Sequence, residues 1–199
     1  EELKRISRWV KSENHLKAQK RIDKLVRKYS NDASILGIAA MVYLAIGSIK
    51  KAKLMSINAL KMDPNNHALM YSLAEIYSED KDFDKAKEQL ERAVELESEN
   101  PTYLGSLGRC YYHLKEFLNS KKYFKLAVNL MPDNDYYWTG LSVAYTHLSE
   151  HDEALFAANR AVEVNPNSAN AFNTRGAIFR DLNDYKSAAA DFERAIELE

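Results

Sequence analysis

His147 and His151 stand four residues apart, the spacing that lets two imidazoles on one helical face share a metal ion. Their setting argues against that use. The pair straddles a break in the hydrophobic period, and His151 falls where equivalent stretches of the chain carry Ile49, Phe83, Phe117 and Tyr185. Packing or turn filling is therefore the expected role. Gly105-Ser106-Leu107-Gly108-Arg109 has the glycines of a phosphate-binding loop. No strand precedes it, and Gly108 occupies a place that takes small residues elsewhere in the chain. The acidic run Ser78–Asp84 lacks the glycine and the closing glutamate of a calcium loop. Neither HExxH nor CxxC occurs. No catalytic, cofactor or metal site is expected, and the chain reads as a non-enzyme.

The elements behind these residues follow a clock. Asp63-Pro64-Asn65-Asn66 returns as Met131-Pro132-Asp133-Asn134 and as Asn165-Pro166-Asn167-Ser168, with Pro132 and Pro166 separated by 34 residues. Pro64 lies twice that distance before Pro132, and the intervening beat falls at Ser98, where the proline slips to Pro101. One frame of 34 then fits without insertion: 33–66, 67–100, 101–134, 135–168 and a shorter 169–199. Place 20 holds Ala52, Ala86, Ser120, Ala154 and Ala188, and place 27 holds Ala59, Ala93, Ala127, Ala161 and Ala195. Place 8 holds Ala40, Ala74, Gly108, Ser142 and Gly176, while place 11 is aromatic throughout, from Tyr43 to Phe179. Small and large side chains at fixed places are what closely crossing helices require. Within 67–100, Leu69, Met70, Leu73, Ile76 and Tyr77 form one helical stripe, and Ala86, Leu90, Ala93 and Val94 a second. The proline loop ends one helix, and Asn65 or Asn66 can cap the next.

Trp138-x2-Leu141-Ser142-x2-Tyr145, followed by Ala154, Ala161 and Pro166, resembles the tetratricopeptide repeat, as does Phe124 four residues after Ser120. The resemblance runs in phase through all five units of 33–199. Residues 1–32 fit the frame more loosely, through Trp9, Ala18, Ile22 and Leu25, as a degenerate first repeat or an N-terminal capping helix pair. The resemblance implies an all-α, right-handed superhelical solenoid of stacked helix-turn-helix repeats. It also implies a concave groove that holds a protein or peptide partner and is lined by places 2, 5, 9, 12 and 13. Those places carry Met41, Tyr71, Glu75, Arg109, Tyr112, His113, Tyr136, Thr139, Val143, Thr146, His147, Asn170, Asn173 and Arg180. Arg109, Tyr112 and Tyr136 are foremost, since tyrosine and arginine dominate binding hot spots. The lysines and asparagines of chaperone-tail clamps in this family are absent from the corresponding places.

Bulk properties bound the partners. The net charge is −1, so no global field recruits nucleic acid or a membrane surface. Residues 1–32 carry ten Lys/Arg against five Asp/Glu, but with only Trp9 and Tyr29 as aromatic company. A solvated helix face is expected there rather than a nucleic-acid platform. No apolar run suggests membrane insertion. The single cysteine, Cys110, rules out an internal disulfide and fits a reducing compartment such as the cytoplasm, with the periplasm left open. The chain reads as a fragment of something longer. Its last helix, around Phe192, Ile196 and Leu198, is expected to expose apolar surface, which either a continuation or end-to-end self-association would cover. The alternative to a free-standing scaffold is a docking or regulatory region of a larger enzyme or of an envelope polysaccharide or secretion assembly.

Overall fold

A computed structural model describes residues 2–12 and 14–199. Glu1 and Glu13, which belong to the expected 1–32 segment, lie outside the described residues. Among the described residues the chain is helical throughout, with no strand, and it forms two compact units, Glu1–Ser98 and Glu99–Glu199.

The first unit contains α1 (Glu2–Lys11), α2 (His15–Lys28), α3 (Ala33–Ala45), α4 (Ile49–Met62), α5 (His67–Glu79) and α6 (Phe83–Leu96). Ile6, Ala18, Ile22 and Leu25 join Ile35, Ala39, Val42 and Tyr43 in one core, with Trp9 packed against it. The Tyr43 hydroxyl donates to Asp23 Oδ1 at 2.6 Å. Burial first, and then that bond, push the phenol up to about 12. The basic residues here engage their neighbours: Arg21 pairs with Glu2, Arg5 lies over Trp9 at 5.0 Å and Lys28 over Tyr29 at 5.0 Å.

The second unit contains α7 (Pro101–His113), α8 (Phe117–Leu130), α9 (Asp135–His147), α10 (His151–Val164), α11 (Ala169–Asp181) and α12 (Tyr185–Glu197). α7 packs on α8 and α9, α9 on α10 and α11, and α11 on α12. On α12 the exposed apolar residues are Tyr185 and Ile196, at 65% and 73%. Phe192 and Leu198 are half-buried, so the apolar surface expected there is narrower than the sequence suggests.

Three devices cut helices from the chain. Place 34 caps the incoming helix: Asp32, Asn66 and Ser168 accept from the amides of Ile35, Leu69 and Ala171 at 3.1, 3.0 and 3.3 Å. Asn100 and Asn134 cap their helices likewise. Pro101 sits in the first turn of α7, where its missing N–H costs nothing. Place 15 is left-handed in the five pairs from α3 to α12, with Gly47 at φ 73°, Lys81 at 60°, Lys115 at 61°, Ser149 at 60° and Asn183 at 64°. That twist lets the amide of place 16 reach back to the carbonyl of the aromatic at place 11, as in Glu116 to Tyr111 at 2.9 Å.

Place 8 and place 24 share one space. Where place 24 is Phe124 or Phe192, place 8 is glycine. A β-carbon added at Gly108 would meet the Phe124 ring at 3.0 Å, and one at Gly176 would meet Phe192. Where place 24 is the smaller Ser56, Leu90 or Ala158, place 8 carries Ala40, Ala74 or Ser142. Phe124 also presses on Gly140 of the following repeat, where an added β-carbon would overlap its ring.

Candidate functional site

Within each unit, successive first helices of the repeats present their places 2, 5, 6 and 9 on one side, because those places fall within one arc of a 3.6-residue turn. In the second unit this side forms a pocket of about 210 Å³. Arg109, Tyr112 and His113 come from α7, Tyr136, Thr139, Gly140 and Val143 from α9, and Asn170 and Thr174 from α11. Phe124 of α8 closes the base, 3% exposed and held between Gly108 and Gly140. Tyr136 stands edge-on to Phe124 at 6.2 Å and to Tyr137 at 5.6 Å, so its ring is braced while 42% of the residue stays accessible.

No carboxylate lines this pocket. Its charge comes from the Arg109 guanidinium. Partial burial, and then that neighbouring charge, hold the His113 imidazole below its ordinary value. Thr139 is only 5% exposed, so it is not the half-exposed helix residue its place suggests. Its hydroxyl lacks a hydrogen-bond partner within the chain. A buried hydroxyl without a bond costs free energy.

Seven of the expected groove residues, Arg109, Tyr112, His113, Tyr136, Thr139, Val143 and Asn170, thus converge in one place. Four others of this unit, Thr146, His147, Asn173 and Arg180, do not join them. His147 stacks flat on Phe117 at 4.3 Å and lies 5.5 Å from Tyr112, which fixes the end of α9 against the start of α8 and the end of α7. Asn173 is exposed outside the pocket, and Arg180 is exposed and donates to Asp181. Thr174 and Phe124 belong to the lining although their places were not singled out. Phe124 could have been found from the glycines at 108 and 140, which leave room for a ring. His151 is solvent-exposed at the first residue of α10, which excludes packing and leaves turn filling of the two roles expected for it. Among the described residues no group of three metal-ligand side chains converges.

The first unit forms its own pocket, of about 340 Å³, from Val10 of α1, Met41, Leu44 and Ala45 of α3, and Tyr71, Ser72, Glu75 and Ile76 of α5. It gathers the expected Tyr71 and Glu75, with Met41 43% exposed at the mouth. Glu75 is its one charged residue. No helix among the described residues is long and apolar enough to cross a membrane.

Tetratricopeptide repeat models match residues 51–110, 101–134 and 148–198, together well over half of the chain. No curated protein matches it. Several solved structures share its fold. PilF of Pseudomonas aeruginosa superposes with a TM-score of 0.82 at 17% identity, covering 95% of this chain and 86% of its own. A MamA fragment from Desulfovibrio magneticus RS-1 gives 0.77 at 17% identity, covering 83% and 94%. YrrB, described as a TPR protein with an unusual peptide-binding site, gives 0.71 at 20% identity, covering 89% and 92%. At these identities the likeness shows the fold, an all-α repeat solenoid.

Proposed function

The chain belongs to the tetratricopeptide repeat family, and from that premise we propose that it is a non-enzymatic scaffold that holds a partner peptide or helix on the first-helix side of its repeats. The observation that carries this reading is the pocket of Arg109, Tyr112, Tyr136 and Thr139, built from successive helices and floored by a ring. Aromatic walls supply contact area at small entropic cost, and Arg109 supplies direction. The peptide-binding site described for YrrB adds support by analogy of fold.

The test is affinity capture followed by quantitative binding of whatever partner is recovered. Arg109→Glu reverses the charge at the pocket and Tyr112→Ala removes a wall. Either should weaken binding about tenfold or more with helicity unchanged; melting should be unchanged in Arg109→Glu and only slightly lower in Tyr112→Ala, which loses ring contacts with Phe117 and His147. Wild-type affinity in both variants would remove this pocket from the binding surface.

A further inference from the structure

A second cavity, of about 470 Å³, lies in the same unit between α8 and α10, with α9 as its floor. It does not overlap the pocket described above. Its meaning comes from the next repeat, where the equivalent space is filled from within. There Arg175 of α11 extends between α10 and α12. Its Nε and Nη2 donate to the two carboxylate oxygens of Asp191, both at 2.7 Å, and Nη1 donates to Asn159 at 3.1 Å. Its guanidinium carbon lies 5.4 Å from the Phe172 ring and 5.8 Å from the Phe179 ring. Arg175 stands at place 7, where the preceding repeats carry Ala39, Leu73, Leu107 and Leu141.

One repeat earlier the aromatic frame is kept and the filling is gone. Trp138 and Tyr145 occupy the places of Phe172 and Phe179, and both line the cavity. Leu141 replaces Arg175 and is too short to fill the space, while Ala157 replaces Asp191 and leaves it open. The rim carries two carboxylates, Asp152 and Glu153, against the single ammonium of Lys125. Lys125 is exposed on a flexible stem and can turn outward. Two further cations already lie over these rings, Arg160 over Trp138 at 5.8 Å and Lys121 over Tyr145 at 5.5 Å. Each is tied to its own carboxylate, Glu163 and Glu150.

We propose that the cavity between α8 and α10 is a docking slot for an arginine side chain of a partner protein, which takes the position that Arg175 takes one repeat later. A guanidinium suits it better than an ammonium. It is flat, weakly hydrated, stacks on aromatic faces and can bond two acceptors at once. The acidic rim gives the slot the sign that such a group needs.

The test uses Trp9→Phe, which leaves Trp138 as the only tryptophan of the chain. The emission of Trp138 is followed during titration with N-acetyl-arginine amide, and in parallel with the lysine and leucine amides. Arginine should saturate the signal at a concentration at least about threefold below either control. Ala157→Asp restores the acid that the next repeat holds and should tighten arginine about tenfold without helping leucine. Should that variant fail to fold, the exposed Glu153→Gln serves instead and should weaken arginine about threefold while leaving leucine unchanged. Leucine binding as tightly as arginine, no saturation by any of the three, or no response of arginine to the change in rim or floor charge would each overturn the proposal. Arg109→Glu should leave this titration untouched, which separates its failure from failure of the first-helix pocket.

Discussion

The pocket of the first unit and the pocket of the second are lined from the same side of their repeats, yet their chemistry differs. Around Met41, Tyr71 and Glu75 the wall is mostly aliphatic, with one aromatic ring and one acid. Around Arg109, Tyr112, Tyr136 and Thr139 it is aromatic and basic, and it has no acid at all. Beneath both lies the same scaffold: Ala40, Ala74 and Gly108 at place 8, and Ala59, Ala93 and Ala127 at place 27, all buried. The difference teaches where the two demands on the sequence are separated. Closely packed places fix the crossing of helices and tolerate little. Places pointing away from that contact can change charge and size without disturbing it.

The sharpest way to break this division is to weaken a packing place and a pocket place by similar truncations. Leu107 is fully buried at place 7 of α7, so Leu107→Ala should cost about 2–5 kcal/mol in chemical denaturation. Met41→Ala, at the mouth of the first pocket, should cost under about 1 kcal/mol. Equal losses would mean that pocket places also carry the fold.

Gly140→Ala tests the point where packing and pocket meet. The new methyl overlaps the Phe124 ring, and the predicted net cost is about 1–3 kcal/mol even after the gain in helix propensity. Phe124→Leu in the same chain should recover part of that loss. A Gly140→Ala variant that melts like wild type would show that the ring has room to move.

A smaller effect, of opposite sign, is expected at the turns. Lys115 is left-handed with φ 61°, where a β-carbon is strained. Lys115→Gly should therefore raise stability by about 0.5–1 kcal/mol without altering partner binding. Gly47→Ala, at the equivalent turn of the first unit, should lower it by a similar amount.

The smallest effect concerns pH. The folded state favours neutral His113, because partial burial and then Arg109 lower its pKa from 6.5. The unfolded chain then takes up the proton first as pH falls. Stability from this group is complete above about pH 6.5 and declines as pH drops toward the folded value. His113→Gln should slightly flatten the fall in melting temperature between pH 7 and 5, and an unchanged slope would exclude His113 as a contributor.

Much of the fold was legible because its rules are local and repeated. A 34-residue beat, prolines before capping residues, and small residues at fixed places are all properties of neighbouring or periodic positions. The left-handed residues at place 15 were not legible. Lys81, Lys115 and Ser149 carry no signature of that conformation, which the closing bond from place 16 to place 11 imposes. The candidate site was legible by half. Place numbers brought out Arg109, Tyr112 and Tyr136, but they could not foresee that His147 would turn onto Phe117 or that Thr139 would be buried.

By itself, then, the sequence determined helices, their ends and their pairing, since hydrogen-bond capping and side-chain size act over a few residues. Only the tertiary structure decided which side chains converge. Phe124 floors a pocket because two glycines on different helices make way for it. Arg175 finds Asp191 and Asn159 across two neighbouring helices, whereas Leu141 and Ala157, at the same places one repeat earlier, leave a cavity. Such outcomes depend on the volume left between elements distant in sequence, which a periodic pattern does not specify.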